Sequence, residues 1–304
     1  MITGAGGQVG LEAVRRAPDY GFTPIGLTRA ELDISDAAKV MQTVKDIAPT
    51  LLINCAAYTQ VDQAESEPDK AHAVNGRGAK NLALACQAIN IPLFHLSTDY
   101  VFDGNKTGLY LETDTPNPTS IYGATKLAGE QAVIEHCKQY IILRTAWVYG
   151  TDGHNFIKTM LDIVQNHGGQ KNGHVSVVND QFGSPTFARD IAKTLLEIAQ
   201  ISQNREHVAS GIYHYTGDGT TSWYGFADII FKELAAQTNI QVRLSPTTTK
   251  QYPTPKNLKK AKRPINSALD TTKISNEFNI FPIDWIESVI QVTREIIKQK
   301  ESQT

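Results

Sequence analysis

Cysteines are few in this sequence, and long hydrophobic runs are absent. The three cysteines among 304 residues are an odd number without metal-ligand spacing. No apolar run approaches the roughly 18 residues of a membrane-spanning helix, and the N-terminus lacks the pattern of a signal peptide. Neither sign of charge dominates, since 29 basic residues stand against 31 acidic ones. We therefore expect a cytoplasmic globular protein with reduced thiols and no nucleic-acid or membrane partner.

Apolar, β-rich segments alternate with helical patterns along most of the chain. After Ser35-Asp36, for example, Val40, Val44 and Ile47 recur at helical spacing. Alternation of this kind, with strands that are apolar on both faces, predicts a parallel sheet covered by helices. The predicted strands are residues 23–27, 51–57, 92–97, 140–145, 175–178 and 211–215, and the last clear helix is 283–298.

A glycine-rich motif stands at the start of the chain. Gly4 allows a tight turn after a strand, Gly7 lets the backbone approach a pyrophosphate, and Gly10 lets the following helix pack closely on the strand. A helix that begins near Gln8 would direct its N–H groups and the positive end of its dipole at the phosphates. The motif and the helix and strand that follow it predict a Rossmann-type, doubly wound α/β fold.

The pattern divides the chain into two parts. Residues 1–148 are predicted to form the NAD(P)-binding Rossmann domain, because the strand–helix rhythm is regular there. Residues 149–304 are predicted to form mainly a smaller substrate-binding lobe, with elements at about 175–215 returning to the Rossmann sheet. Only Met1, Ile2 and Thr3 precede the glycine motif, whereas a central strand usually has about five residues. This favours a missing or misassigned start.

The end of the second predicted strand bears on the choice of cofactor. NAD-selective sites place an acid there, about 20 residues after the glycines, to bind the ribose 2′-hydroxyl. Residues 24–28 contain no acid, and the next residue, Arg29, suits a 2′-phosphate; a solvated surface arginine is the alternative. Asp33 and Ile34 either contact the adenine edge or form the turn into the next helix. We expect NADPH as the cofactor and leave acceptance of NADH open.

Tyr122 and Lys126 are four residues apart, so a helix places both on one face. A lysine ammonium there stabilises the phenolate and lowers the pKa of the tyrosine, which can then exchange a proton with a carbonyl/alcohol pair. Thr98 adds a hydroxyl at the end of a predicted strand, where open α/β sheets bind their ligands. With the glycine loop, these three residues resemble the catalytic set of the extended short-chain dehydrogenase/reductase family.

Further segments extend this resemblance over essentially the whole chain, and the short N-terminus is the departure from it. They are similar to the branch of the family that reduces nucleotide-linked 4-keto-6-deoxy sugars, which implies a dTDP-linked keto-deoxy sugar as substrate. The segments are NCAAYTQVDQAE at 54–65, VN at 74–75, STDYVF at 97–102, RTAWVYG at 144–150, NDQFGSPT at 179–186 and RPINSALD at 263–270.

The resemblance implies an NADPH-dependent oxidoreductase that reduces the sugar at C4. Tyr122 would protonate the developing alkoxide, Thr98 would donate a hydrogen bond to the same oxygen, and Lys126 would tune Tyr122 and hold the nicotinamide ribose. Substrate contacts are expected from Thr98, Asp99, Tyr100 and Trp147, the two aromatic residues forming walls for the sugar. The expected cofactor contacts are Gly4, Gly7, Gln8, Val9, Gly10, Arg29, Asp33, Ile34, Ala56, Ala57, Tyr58, Ser97, Tyr122 and Lys126.

Two alternative functions use the same fold. Sugar-nucleotide 4,6-dehydratases typically carry Asp-Glu directly after the catalytic threonine, whereas Asp99-Tyr100 stands here. The missing glutamate argues strongly against dehydration and mildly against epimerisation. The second alternative is a non-catalytic regulatory subunit of the methionine adenosyltransferase type. The presence of Thr98, Tyr122 and Lys126 favours an enzyme.

Metal binding and assembly are less determined by the sequence. Some reductases of this family are described with Mg²⁺ at a dimer interface, and Glu12 lies in the first helix where one such ligand would fall. Partner ligands cannot be placed, and a surface glutamate that faces the helix dipole is the favoured interpretation. We therefore predict no metal ligand, leave a requirement for Mg²⁺ open, and regard a homodimer as compatible with the resemblance.

Overall fold

Six parallel strands form the central sheet. The computed structural model describes residues 1–166, 173–203, 209–238, 240–252 and 259–302. In spatial order the strands are β10 (Gly211–His214), β5 (Tyr140–Thr145), β4 (Leu93–Thr98), β3 (Leu52–Asn54), β1 (Ile2–Thr3) and β2 (Gly26–Leu27). The order reverses beside β1, as it does in a doubly wound sheet. The predicted fold class is confirmed.

Helices pack on both faces of this sheet because its strands are apolar on both sides. Ile53 and Ile141 belong to one hydrophobic cluster, whereas their neighbours Leu52 and Ile142 belong to another, as alternation along a strand requires. The first cluster includes residues of α1 (Gln8–Arg16), α8 (Ala188–Gln203) and α10 (Thr272–Phe278). The second includes residues of α2 (Ala37–Ile47), α5 (Ala79–Ala88) and α6 (Ile121–His136).

A separate hydrophobic cluster holds the C-terminal part together. Its helices are α7 (Phe156–Asn166), α9 (Trp223–Thr238) and α11 (Trp285–Glu301), and β7 (Gly173–Val178) pairs in parallel with β12 (Val242–Thr247) beside them. Two short ladders lie near the end of β5. In one, β6 (Val148–Tyr149) pairs with β9 (Thr186–Phe187), and in the other β8 (Phe182–Gly183) pairs with β11 (Thr221–Ser222).

The remaining helices lie between β3 and α5. They are α3 (Val61–Ala64) and α4 (Pro68–His72), followed by the π-helical segment Ala73–Gly78 that continues into α5. One-turn 3₁₀ helices follow α1 at Ala17–Tyr20 and β4 at Asp99–Val101. None of the helices in the described ranges is both long and apolar enough to cross a membrane.

The element from the second half that joins the central sheet is β10. It pairs with β5 in parallel, whereas β7, which also falls in the range predicted to return, pairs with β12 outside the sheet. The first strand of the motif, β1, comprises Ile2 and Thr3 and lies between β2 and β3. The division of the chain into two domains at residue 148 stays a prediction.

Candidate active site

The glycine loop between β1 and α1 is shaped by backbone contacts. Gly4 has φ of +72°, and a Cβ there would lie 2.5 Å from the backbone nitrogen of Ala56. A Cβ on Gly10 would lie 2.2 Å from the carbonyl oxygen of Gly4. Gly7 is the N-cap of α1, and no side chain caps this helix. Gly4 and Gly10 therefore let backbone segments pack where a side chain would collide, and the start of α1, which no side chain caps, fits a pyrophosphate.

Other predicted cofactor residues lie around this loop with different roles. Ala56 and Ala57 follow β3 and are half-buried. Tyr58 exchanges hydrogen bonds with Asn75 through its backbone, while its hydroxyl donates to Glu67 at 2.8 Å. Its side chain is therefore engaged away from the loop. Val9 is buried in the hydrophobic core, and Gln8 accepts a hydrogen bond from Asn155 at 3.1 Å.

The residues predicted to select the cofactor also differ in exposure. The side chain of Arg29 is 71% exposed, and its Nε lies 3.7 Å from Asp33 Oδ2. Asp33 accepts hydrogen bonds from the N–H and hydroxyl of Ser35, which hold its pKa below the ordinary value. Ile34 is buried against the position of Gly78. Arg29 is thus available to a phosphate, whereas Asp33 and Ile34 form the turn into α2.

Thr98 and Tyr122 meet at the carboxyl end of β4. Thr98 is buried at the last position of β4, and Tyr122 is half-buried in the first turn of α6. Burial raises the pKa of Tyr122 to about 12, while a hydrogen bond with Thr98 acts in the opposite direction. The structure therefore brings the two predicted catalytic hydroxyls together and keeps Tyr122 protonated at neutral pH.

Lys126 is buried one turn after Tyr122, but its ammonium is directed at β4. Its Nζ donates to the carbonyl oxygen of Leu96 at 2.7 Å and lies 3.4 Å from His95 Nε2. Burial lowers the pKa of Lys126 to about 8. The expectation that Lys126 lowers the pKa of Tyr122 is wrong for this structure, because burial dominates at Tyr122 and the Lys126 ammonium points elsewhere.

A chain of buried polar groups reaches Lys126 from the first strand. Asn54 Oδ1 accepts from the hydroxyl of Thr3 at 2.7 Å and from the N–H of Ala56 at 3.1 Å. The Asn54 amide nitrogen therefore faces His95 Nδ1, at 2.9 Å. Burial lowers the pKa of His95 well below its ordinary value. A neutral imidazole that accepts at Nδ1 carries its proton at Nε2, on the side of Lys126.

A second buried group, which the sequence analysis missed, joins β4, β5 and α6. Glu130 accepts two hydrogen bonds from Arg144, at 2.9 and 2.6 Å, and one from the hydroxyl of Ser97 at 2.5 Å. Both charged side chains are 1% exposed. Glu130 is four residues after Lys126, and Arg144 interrupts an apolar strand, so the sequence did carry a signal. The Ser97 hydroxyl donates here, and its predicted cofactor contact stays a prediction.

Asp99 and Tyr100, two of the predicted substrate residues, follow Thr98 directly. Asp99 is 4% exposed and accepts a hydrogen bond from the Thr98 hydroxyl at 3.0 Å. Burial raises the pKa of Asp99 to about 6, although the nearby hydroxyls of Ser267 and Thr98 favour the charged form. The Tyr100 ring lies edge-on to Tyr122, with centroids 5.4 Å apart. Both residues therefore border the catalytic hydroxyls.

Trp147, the remaining predicted substrate residue, lies just beyond β5. Thr145, two residues earlier, is paired with Thr98 in the sheet. The indole is half-buried and stacks on Trp223 with centroids 3.7 Å apart. Trp223 and Gly183, which lies against the same indole, were not identified from the sequence.

Glu12 differs from the surface glutamate that was expected. It is 4% exposed, and its carboxylate accepts hydrogen bonds from Arg16 at 2.9 Å and Arg15 at 3.4 Å. Arg189 Nε lies 3.9 Å from the same carboxylate, and Arg189 also pairs with Glu295. In the described part of the chain no three acidic, histidine or cysteine side chains form a metal-binding group. Three guanidinium groups around Glu12 do not fit a Mg²⁺ site.

Comparisons with known proteins identify the family of this chain. The family model described as the RmlD substrate binding domain matches residues 1–297. The dTDP-4-dehydrorhamnose reductase of Aggregatibacter actinomycetemcomitans is 44% identical over 288 residues, which cover 94% of this chain and 95% of the relative. That of Escherichia coli K12 is 38% identical and is covered over 97% of both chains.

Solved structures agree with these sequence matches. The dTDP-4-dehydrorhamnose reductase of Clostridium acetobutylicum has a TM-score of 0.87 and 36% identity, covering 97% of this chain and 98% of its own. The Bacillus anthracis enzyme, solved in complex with NADP, has a TM-score of 0.83 with the same identity and coverage. A dTDP-glucose 4,6-dehydratase of Streptomyces venezuelae, at 18% identity and a TM-score of 0.77, shares the fold. The chain belongs to the dTDP-4-dehydrorhamnose reductase family.

Proposed function

We propose that this protein reduces the C4 keto group of dTDP-4-dehydro-6-deoxy-L-mannose with NADPH and yields dTDP-L-rhamnose. The observation that carries the proposal is the pair of hydroxyls of Thr98 and Tyr122 at the carboxyl end of β4. The family match over residues 1–297 gives the substrate class. Open α/β sheets bind their ligands at this edge, where a sugar carbonyl can lie between the hydroxyls and a cofactor.

The residues present fit a phosphorylated dinucleotide. The N–H groups at the uncapped start of α1 would bind the pyrophosphate, and exposed Arg29 would bind the 2′-phosphate. Lys126, which is buried one turn after Tyr122, would hold the nicotinamide ribose, as the family resemblance implies. When bound, NADPH supplies the hydride that adds to C4.

Tyr122 donates the proton that completes the reduction. Hydride addition leaves negative charge on the C4 oxygen, and a neutral tyrosine hydroxyl within hydrogen-bond distance can neutralise it. The raised pKa keeps that hydroxyl protonated throughout the physiological range. For a reductase this is the required state, because the residue must enter the reaction with its proton.

Thr98 supports the same oxygen, but it has only one proton to donate. In this structure the Thr98 hydroxyl donates to Asp99 Oδ1. It can serve the substrate oxygen only if Asp99 stops accepting. A protonated Asp99 would do so, because it can donate to Thr98 Oγ1 and leave the threonine proton for the substrate. Burial raises the pKa of Asp99 to about 6, so this arrangement is favoured below that pH.

The two alternative functions lack such support. Dehydration needs a base at the position of Tyr100, which is a tyrosine whose pKa burial raises further. Similarity to the Streptomyces dehydratase, at 18% identity, concerns the fold alone. A non-catalytic subunit has no need for tyrosine and threonine hydroxyls placed together at this edge of the sheet.

The test is an assay of NADPH oxidation with the dTDP-linked 4-keto-6-deoxy-L-sugar. We expect one NADPH consumed for each dTDP-L-rhamnose formed, with mass spectrometry and NMR identifying the product. A matched reaction with dTDP-4-keto-6-deoxy-D-glucose should consume far less. Epimerisation would convert sugar without net consumption of NADPH, and a regulatory subunit would convert neither substrate.

Location and assembly stay predictions alongside this function. A cytoplasmic location is supported by three cysteines that are all unpaired thiols, Cys86 and Cys137 being buried. Cell fractionation tests the location, and light scattering of the purified protein tests the predicted homodimer.

A further inference from the structure

Trp147 has a backbone conformation that large side chains rarely adopt. Its φ is +48°, in the left-handed region. Three other non-glycine residues in the described ranges have positive φ, and Ala48, Asn90 and Asn279 all lie at or beside the C-terminal end of a helix. Trp147 instead lies between two strands. A bulky residue persists there only when its surroundings hold it, and such positions concentrate at functional sites.

Trp223, the first residue of α9, covers one face of the Trp147 indole. The ring centroids are 3.7 Å apart and the planes differ by 10°. Trp223 is itself held by Phe156, at a centroid distance of 4.7 Å, and by Phe226, at 6.1 Å. The stack therefore fixes Trp147 to the C-terminal hydrophobic cluster, which also contains Phe226.

Gly183 makes room for the same indole. A Cβ at this position would lie 2.6 Å from Cε2 and 2.8 Å from Nε1 of Trp147, closer than real Cβ contacts. On the backbone side, the Trp147 carbonyl accepts the N–H of Thr186 at 3.2 Å. Gly183 in β8 pairs with Thr221 in β11, two residues before Trp223. The residues that enclose the indole are thus held in register with each other.

We propose that Trp223 and Gly183 are positioning residues that fix Trp147 as a rigid wall for the sugar ring of the substrate. The inference deepens the proposed function and rests on it. Trp223 stacks on the indole and Gly183 lies against its Cε2 and Nε1 atoms, so the half-buried ring is held from two sides and only its exposed part is left for a ligand. Trp147 follows the strand residue paired with Thr98, which places this wall at the catalytic edge. An aromatic ring held in advance binds an apolar sugar face with little loss of conformational entropy.

The test compares Trp223→Ala with Trp223→Phe. For Trp223→Ala we expect the Kd for dTDP-L-rhamnose, measured by calorimetry, to rise about tenfold or more, because Trp147 is no longer held. The Kd values for dTDP alone and for NADPH should stay within about twofold of the wild type.

In the kinetics of Trp223→Ala, KM for the keto-sugar should rise more than kcat falls. Trp223→Phe should restore much of the affinity for the sugar, since a stacked ring remains. Gly183→Ala should resemble Trp223→Ala.

Trp285→Phe is the matched control. Trp285 is buried in the same cluster and lies edge-on to Phe226, but it does not belong to the Trp147–Trp223 stack. This variant should leave both nucleotide affinities unchanged. Near-UV circular dichroism of the protein without ligand adds a readout of the stack, whose coupled indole signal should disappear in Trp223→Phe and persist in Trp285→Phe.

Two results would overturn the inference. Equal losses of affinity for dTDP and dTDP-L-rhamnose would mean that the stack supports the nucleotide site or the fold in general. An unchanged Kd for dTDP-L-rhamnose in Trp223→Ala, with the coupled signal lost, would mean that the held position of Trp147 does not matter for the sugar. If Trp223→Ala does not fold, Gly183→Ala decides by the same criteria. A wild-type protein that keeps the coupled signal but shows no reductase activity would instead count against the proposed function.

Discussion

The cofactor side and the catalytic side of this site are built from different kinds of groups. The cofactor side is backbone: Gly4 and Gly10 are set by contacts with main-chain atoms, and Arg29 is mostly exposed. The catalytic side consists of polar side chains, with Ser97 and Glu130 among the buried ones. Exposed groups act nearly independently, whereas buried hydrogen-bonded groups depend on one another. Substitutions should therefore have local effects on the cofactor side and combined effects on rate and stability on the catalytic side.

Tyr122→Phe should give the largest loss of activity and leave the cofactor side intact. The ring is kept but the proton donor is removed, so kcat should fall about 10²–10⁴-fold. Stopped-flow measurement of NADPH oxidation gives the rate, and fluorescence titration should show an unchanged Kd for NADPH. Tyr20→Phe, which removes a hydroxyl bound to Glu197 far from the site, is the control and should keep its activity. Turnover near that of the wild type would exclude Tyr122 as the donor.

Glu130→Ala tests whether the catalytic side is also a stability element. It leaves the buried Arg144 charge without its carboxylate, and removal of one partner of a buried pair costs about 3–5 kcal/mol of the free energy of unfolding. Urea denaturation measures the loss. Asp162→Asn, which breaks an exposed pair with Lys300, should cost less than about 1 kcal/mol. Similar losses of stability in the two variants would contradict the view that the buried pair on the catalytic side stabilises the fold more than an exposed pair does.

Thr98→Val removes one of the two hydroxyls at the substrate oxygen. We expect kcat to fall about 10–10³-fold, because one hydrogen bond to the developing charge is lost while Tyr122 still supplies the proton. The affinity for NADPH should be nearly unchanged. A larger loss than that of Tyr122→Phe would reverse the assigned roles and is measured in the same stopped-flow assay.

Arg29→Ala tests the independence of the cofactor side. If the guanidinium binds the 2′-phosphate, KM for NADPH should rise about tenfold, as a charged hydrogen bond contributes about 1.5–3 kcal/mol. KM for NADH should barely change, and so should kcat and the thermal midpoint, since Arg29 is 71% exposed. Lys39→Ala in α2 serves as the control for a general change of surface charge. Equal effects on both cofactors would show that Arg29 does not read the 2′-phosphate.

Asp99→Asn should have the smallest effect on kcat at low pH and a distinct effect on its pH dependence. With a pKa raised to about 6, the wild-type carboxyl is protonated below that pH and ionised above it. We expect wild-type kcat to fall as pH rises through about 6, because ionised Asp99 then accepts the hydrogen bond from the Thr98 hydroxyl, which is no longer free to donate to the substrate. The asparagine amide can donate to Thr98 at every pH, so this variant should stay active with a flat profile. An inactive Asp99→Asn would show that the ionised carboxylate is needed.

The titratable groups near Asp99 enter this profile as well. Tyr122 and Tyr100 both have pKa values raised by burial, so they stay protonated across the range of the assay. A change near pH 6 that survives in Asp99→Asn would therefore have to come from the substrate or cofactor phosphates.

Much of the architecture follows from local patterns. The strand predicted at 140–145 is β5 with the same bounds, and the helix predicted at 283–298 is α11, Trp285–Glu301. These elements are continuous apolar or amphipathic segments, in which local propensity and burial agree. The segment at 175–178 is also a strand, but its partner is β12, because pairing depends on distant segments that a local pattern does not specify.

The candidate site was predictable in its chemistry and less so in its contacts. Spacing brought Tyr122 and Lys126 to one helix, and the order of strands brought Thr98 to the edge beside them. The direction of the Lys126 ammonium could not be read in the same way, because it depends on the Leu96 carbonyl and on His95 in a neighbouring strand. The hydrogen bond from the Ser97 hydroxyl to Glu130 could not be read either, since it joins distant segments, and the cofactor contact of Ser97 stays a prediction.

The sequence by itself determined the parallel sheet, the glycine loop and the set of candidate catalytic hydroxyls, because each depends on residue type and spacing along one segment. Only the tertiary structure decided the pKa values of the buried groups and the position in which Trp147 is held. The raised pKa of Asp99 comes from burial beneath several elements, and the left-handed backbone of Trp147 is held by Trp223 and Gly183, which are 76 and 36 residues away along the chain. Desolvation and ring packing are properties of the assembled interior, so they appear only when distant segments meet.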